Sequence, residues 1–227
     1  MTDMPTPAPT TLLSLHLGRI EPFGPEGQTS AIRKRPVAGP VRVTLSGLAG
    51  DQQADPRHHG GPDKALHHYP FEHYAAWRDE LPAQAARFQA PGGFGENLST
   101  RGLTEANVCL GDRFRVGRAV LQVSQGRQPC WKLNARFEVE DMVARVLASG
   151  RAGWYYRVLQ EGEIAPGDRF ELLERPLADW PLSRLWQVLF HPPFDAMALA
   201  ELSRLDLLSE NWRARAANRI ASQAVAE

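Results

Sequence analysis

Phe114-Arg115-Val116-Gly117-Arg118-Ala119-Val120-Leu121-Gln122-Val123-Ser124-Gln125-Gly126-Arg127-Gln128-Pro129-Cys130 is the run that sets the architecture of this chain. Phe114 and Val116 alternate with arginine, Gly117 interrupts, and Val120, Leu121 and Val123 resume. Strand side chains alternate between faces and glycine relaxes a turn, so the pattern predicts two strands around Gly117. The second strand runs out in Ser124-Gln125-Gly126, which leaves Arg127-Gln128-Pro129-Cys130 at the end of the sheet.

Outward from that hairpin the chain is β-rich. Leu12–Ile20, Val41–Leu45, Trp154–Leu159 and Phe170–Leu173 are predicted strands. Two helices interrupt them. Phe71–Leu81 carries Phe71, Tyr74 and Trp77 at helical spacing, with Pro70 before it and Pro82 after it. Glu138–Ser149 places Val139, Met142, Val143, Val146 and Leu147 on one face, with Gly150 as C-cap. Gly111-Asp112-Arg113-Phe114 and Gly167-Asp168-Arg169-Phe170 echo each other and predict a repeated turn before a strand.

The pattern changes after Pro176. Leu182, Leu185, Trp186 and Leu189 mark one helix, which His191-Pro192-Pro193 breaks. Met197, Leu199, Leu202 and Leu205 suit a second. Ser209–Ile220 suits a third, with Ser209 as N-cap and Trp212 and Ala216 inward. The expected organisation is a loose tail over 1–10, a mainly β domain with α additions over 11–176, and a three-helix domain over 177–227.

Composition narrows the function. The 227 residues hold 26 Lys+Arg and 26 Asp+Glu, which argues against a nucleic-acid polymer as partner. No apolar run approaches the roughly 18 residues of a membrane span, and Met1–Thr10 lacks the features of a secretory signal. The two cysteines, Cys109 and Cys130, are too few for a secreted disulfide scaffold, so a cytoplasmic protein is expected.

Three segments carry candidate chemistry. Cys130 lies between Arg127 and Lys132, whose charges favour thiolate; a thiolate is a soft metal ligand and a nucleophile. Its other reading is a buried structural cysteine, the reading that Cys109, between Val108 and Leu110, invites. Asp55-Pro56-Arg57-His58-His59-Gly60-Gly61-Pro62-Asp63-Lys64 joins two cations to adjacent glycines, which let backbone N–H groups approach an anion. A zinc site from His58, His59, His67, His68 and His73 is disfavoured, because neighbouring strand histidines point to opposite faces. Gly93-Phe94-Gly95-Glu96-Asn97-Leu98 offers a tight turn and an amide suited to a polar ring edge. Arg33-Lys34-Arg35 reads as a solvated edge.

Taken in order, these segments resemble one family. The series is Ser30-Ala31-Ile32 before Lys34, Gly47-Leu48 with Gly50-Asp51, His59-Gly60-Gly61 with Lys64-Ala65, Phe94-Gly95-Glu96-Asn97-Leu98, Gly111-Asp112, and Arg127-Gln128-Pro129-Cys130. It is similar to the MOSC domain found at the C-terminus of molybdenum-cofactor sulfurases. The likeness extends through Gly153–Leu159, and the tail after Trp180 resembles the three-helix domain of the YiiM branch. The resemblance implies a β-barrel-like core and a molybdenum cofactor, Mo-molybdopterin, whose metal is held by the pterin dithiolene and by Cys130. It implies reduction of N-hydroxylated small molecules such as 6-N-hydroxylaminopurine, which detoxifies base analogues, with a flavin-containing reductase as electron donor. Lys34, Arg57, His59, Gly60, Gly61, Lys64, Asn97 and Arg127 are the expected cofactor contacts. His59 and Glu96 are the expected proton donors beside Cys130. A carrier of cofactor or sulfur on Cys130 is the alternative, and a cysteine hydrolase using His58 or His59 ranks last, because no orienting third group is evident.

Overall fold

The computed structural model describes residues 7–24, 27–55 and 60–224. Nine strands form the central sheet: β1 (Thr10–Thr11), β2 (Ser14–Leu17), β3 (Arg35–Val37), β4 (Leu66–His68), β5 (Leu98–Ser99), β6 (Arg113–Val116), β7 (Ala119–Gly126), β8 (Trp154–Gln160) and β9 (Arg169–Glu174). Their spatial order is β1-β9-β6-β7-β8-β4-β5-β2-β3. Every pairing is antiparallel except β4 with β5. The sheet curls into a half-barrel, so the expected barrel-like core is an open one.

The hairpin predicted around Gly117 is β6–β7, with Val116 opposite Ala119. β7 is buried along nearly its whole length. A strand covered on both faces must satisfy its polar side chains internally. Ser124 accordingly donates to the Asp63 carbonyl at 2.6 Å, and Gln122 Oε1 accepts from Arg157 at 3.3 Å. The two Gly-Asp turns are the same device. Asp112 Oδ2 accepts the Cys109 N–H at 2.9 Å, Asp168 Oδ2 accepts the Ala165 N–H at 2.7 Å, and both glycines have positive φ.

Beside the central sheet the described structure has five short strands in two small sheets, two 3-10 helices and six α-helices: α1 (Glu72–Glu80), α2 (Lys132–Phe137), α3 (Met142–Ser149), α4 (Leu182–Phe190), α5 (Ala196–Leu202) and α6 (Glu210–Ala224). α1 ends at Glu80, one residue short of the predicted Leu81, which caps it; α3 ends at Ser149 as predicted, with Gly150 capping it in the left-handed region. The N-terminal half of the predicted Glu138–Ser149 helix is corrected. α2 ends there instead, at Glu138 with φ 56°, and α3 starts only at Met142. Asn134 bridges the break, since its Oδ1 accepts the Val143 N–H at 2.9 Å. The predicted Leu12–Ile20 strand is likewise shorter, as β2 ends at Leu17.

The three C-terminal helices pack onto the same apolar core as the sheet. Trp186 and Trp212 are their anchors, 4% and 3% exposed. Both meet Gly126 at the end of β7, where a Cβ would lie 2.7 Å from the Trp212 ring. Met197 was expected inward on α5 and is 84% exposed; Ala198, Leu199 and Leu202 form the buried face. Ser209 precedes α6, and its N–H ties the helix start to the Ser124 carbonyl at 3.1 Å. No described helix is long and apolar enough to cross a membrane.

Candidate functional site

β7 delivers the site. Past Gly126 the chain leaves the sheet, and the Arg127 N–H donates to the Gly153 carbonyl at 2.9 Å. Gly153 has φ 72°, and a Cβ there would stand 2.2 Å from the His68 carbonyl, so only glycine admits this approach of β7, β8 and β4. The Cys130 carbonyl then accepts the Leu133 N–H at 3.0 Å and α2 begins. Cys130 is thereby held at a strand-to-helix junction, half-buried, whereas Cys109 is fully buried.

Cys130 forms part of the wall between two cavities. The smaller, about 80 Å³, is lined among others by Ser30, Lys34, His67, Asn97, Arg127 and Tyr155. The larger cleft, about 1120 Å³, runs from Cys130 to the face of α6 that carries Arg215 and Arg219. Lys64, Lys132 and Tyr155 line both. Burial raises the Tyr155 phenol pKa, and the charge at Cys130 adds to that, while the Arg127 charge and hydrogen bond oppose it. Tyr155 therefore keeps its proton at neutral pH. Burial, then the Arg127 charge, hold His67 well below the usual histidine range, so its imidazole is neutral.

The expected contacts divide. Arg127, Lys64, Lys34, Asn97 and Cys130 share the small cavity. Within Arg33-Lys34-Arg35 only Lys34 turns inward: Arg33 lies over the Phe23 ring and Arg35 pairs with Glu21 at the surface. The Lys34 ammonium is held by Asp51 at 2.5 Å, and burial lowers its pKa against that pull. Asn97 is committed to the protein as well. Its Nδ2 donates to Asp51 at 2.9 Å and to the His16 carbonyl at 3.2 Å, and its Oδ1 accepts the His67 N–H at 3.1 Å. Lys34 and Asn97 both donate to the Asp51 carboxylate, so the three form a braced wall rather than loose groups.

Glu96 lines neither cavity. Its carboxylate accepts the Tyr74 hydroxyl at 2.5 Å and the N–H groups of Gly92 and Phe94, which ties the glycine-rich turn together, and burial raises its pKa. Gly60 and Gly61 precede the short turn Pro62–Lys64 and line neither cavity; Arg57, His58 and His59 lie outside the described residues. Sequence reasoning weighed His67 only as a zinc ligand and gave no site role to Tyr155, Asp51, Arg215 or Arg219. Arg215 and Arg219 had a legible signal: they are four apart on a helix whose inward face is marked by Trp212 and Ala216.

A model of the MOSC domain matches residues 55–171, and a model of the YiiM-like 3-alpha helix domain matches residues 180–223. The chain belongs to the MOSC family. Its MOSC segment supplies Lys64, His67, Arg127, Cys130 and Tyr155, and its YiiM-like helices supply Arg215 and Arg219. This MOSC protein is 44% identical to Protein YiiM of Escherichia coli over 200 residues, covering 88% of each chain. It is 40% identical over 205 residues to a longer protein of Gibberella moniliformis named Reductase, covering 89% of this chain and 36% of that one. The crystal structure of YiiM from Escherichia coli superposes with a TM-score of 0.80 at 37% identity, covering 96% of this chain and 94% of that one.

Proposed function

We propose that this MOSC protein is a molybdenum-cofactor-dependent reductase of N-hydroxylated small molecules, with Cys130 as the protein ligand to the metal. One observation carries the reading: a half-exposed thiol sits on the wall shared by two cavities, with Lys64, Lys132 and Arg127 around it. A sulfur meant only for packing is buried, as Cys109 is. The relative named Reductase supports oxidoreductase chemistry.

The donor set fits the cofactor. Cys130 offers a soft thiolate ligand for the metal. Lys64 and Arg127 offer charge-assisted hydrogen bonds to the pterin phosphate. Gln125 Oε1 is buried on the cleft wall without a hydrogen-bond partner among the described residues, an acceptor for a ring N–H. When bound, the cofactor would supply a two-electron redox couple.

The balanced reaction is R–NHOH plus two electrons and two protons, giving R–NH₂ and water. For 6-N-hydroxylaminopurine the product is adenine. The chain must hold a proton near the departing oxygen, and Tyr155, which lines both cavities and stays protonated through burial, is the proposed donor. Neutral His67 is no acid at this pH, and Glu96 is closed off by its three donors. A flavin-containing reductase is the proposed electron source.

The test uses protein purified from a cofactor-competent host, a reduced viologen dye and 6-N-hydroxylaminopurine, with adenine as readout. Adenine formation by wild type and only background formation by Cys130→Ser are expected. A cyanide-releasable sulfur on Cys130 with no turnover would contradict the reading and indicate a carrier.

A further inference from the structure

The chain as a whole is neutral, but the large cleft is not. Its described lining holds Lys64, Lys132, Arg215 and Arg219 against one carboxylate, Asp55. The cations fall on two sides of Cys130. Arg127 and Lys34 line the small cavity only, and Arg215 and Arg219 line the large cleft only.

Arg215 and Arg219 are held near each other at a cost. They are one helical turn apart on α6, and each is anchored by a neutral group. Arg215 donates to Gln128 Oε1 at 3.0 Å, and Arg219 donates to the Leu189 carbonyl at 2.8 Å and lies over the Phe194 ring at 4.0 Å. Neither guanidinium meets a carboxylate among the described residues. Burial lowers the Arg215 pKa, and the Arg219 charge adds to that. Each guanidinium carries five N–H donors, and these bonds use one apiece. Two forks fixed by neutral anchors and lacking a counter-ion suit a doubly charged oxyanion.

The same cleft presents a flat aromatic surface. Trp131, the neighbour of Cys130, is 46% exposed and is backed by Phe23 with ring centroids 6.0 Å apart. Ligand pockets for small molecules span roughly 300–1000 Å³, so a 1120 Å³ cleft has room for a pterin group and a further ring-bearing ligand.

We infer that Arg215 and Arg219 form a phosphate subsite, and that the cleft takes substrates of the nucleotide class, with the ring on Trp131 and the phosphate on the guanidinium pair. That the bound nucleotide is N-hydroxylated rests on the reductase reading above; the phosphate subsite does not. The free base would lack this anchor.

The test titrates adenosine 5′-monophosphate and adenosine calorimetrically into protein from a cofactor-competent host. The nucleotide binds more tightly than the nucleoside, inorganic phosphate displaces it, and R215Q/R219Q weakens it by about 10- to 100-fold while leaving adenosine binding and molybdenum content unchanged. Equal affinity for nucleotide and nucleoside, or no displacement by phosphate, overturns the inference without need of a variant. Loss of molybdenum from a folded R215Q/R219Q protein also overturns it, because the pair would then serve the cofactor. Phosphate-dependent nucleotide binding without any N–O reduction sinks the reductase reading and leaves the subsite standing.

Discussion

Lys34 and Asp51 make a pair with side chains only 8% and 5% exposed, and Asn97 fastens the same carboxylate. Removing one partner of a buried pair leaves an uncompensated charge, which costs about 3–5 kcal/mol. Asp51→Ala is expected to lose stability on that scale in urea melts; a loss under about 1 kcal/mol would show that the pair is solvated. The sequence displayed three consecutive cations here. Their division into one inward lysine and two surface arginines depends on β3 pairing with β2, which a local pattern does not encode. His68 is a second residue-scale case. It stacks on Trp154, bonds Tyr156 and Thr100, and burial holds its pKa at about 3. The unfolded chain, with histidine near 6.5, binds the extra proton first as pH falls. The His68 contribution is therefore intact above pH 6.5 and is lost between 6.5 and about 3, by up to about 1.4 kcal/mol per unit. Glu96, shifted upward by burial, acts with opposite sign over part of that window, so the comparison is wild type against His68→Gln. The variant is expected to flatten the slope of unfolding free energy between pH 6.5 and 4. Parallel slopes would contradict the assignment.

Among the elements, the join between β7 and the C-terminal helices is the most sensitive. Gly126 leaves room for the Trp212 ring, and Trp186 closes the same contact. Trp212→Ala is expected to cost about 3–5 kcal/mol and to open the α6 wall of the cleft. Gly126→Val attacks the same contact from the sheet side, since its first carbon would stand 2.7 Å from the indole. Unaltered thermal melts for both variants would mean that the helices are not anchored there. Strands and helices with strong period were legible: the Gly117 hairpin, α1, and all three C-terminal helices. The Glu138–Asp141 break was not, because it depends on a left-handed residue and on Asn134 reaching Val143. Met197 misled because an apolar residue at helical spacing says nothing about which flank faces the core.

For the whole molecule, two segments line one cleft. The MOSC segment presents the thiol and its nearby cations, and the helical segment presents an opposing basic face. The first half was legible in the sequence as a segment, since Arg127-Gln128-Pro129-Cys130 carries the family likeness and both Arg127 and Cys130 line a cavity. The second half was legible only as a helix with Arg215 and Arg219 on one flank; no local signal says that a helix about 85 residues downstream returns to line the same cleft as Cys130. The central claim concerns that sulfur and the metal it is proposed to hold. Molybdenum per chain, measured by mass spectrometry on freshly purified wild type and Cys130→Ser from the same cofactor-competent host, tests it most directly. Near-stoichiometric metal in wild type and background metal in the folded variant are expected. Equal molybdenum in both proteins would contradict the account.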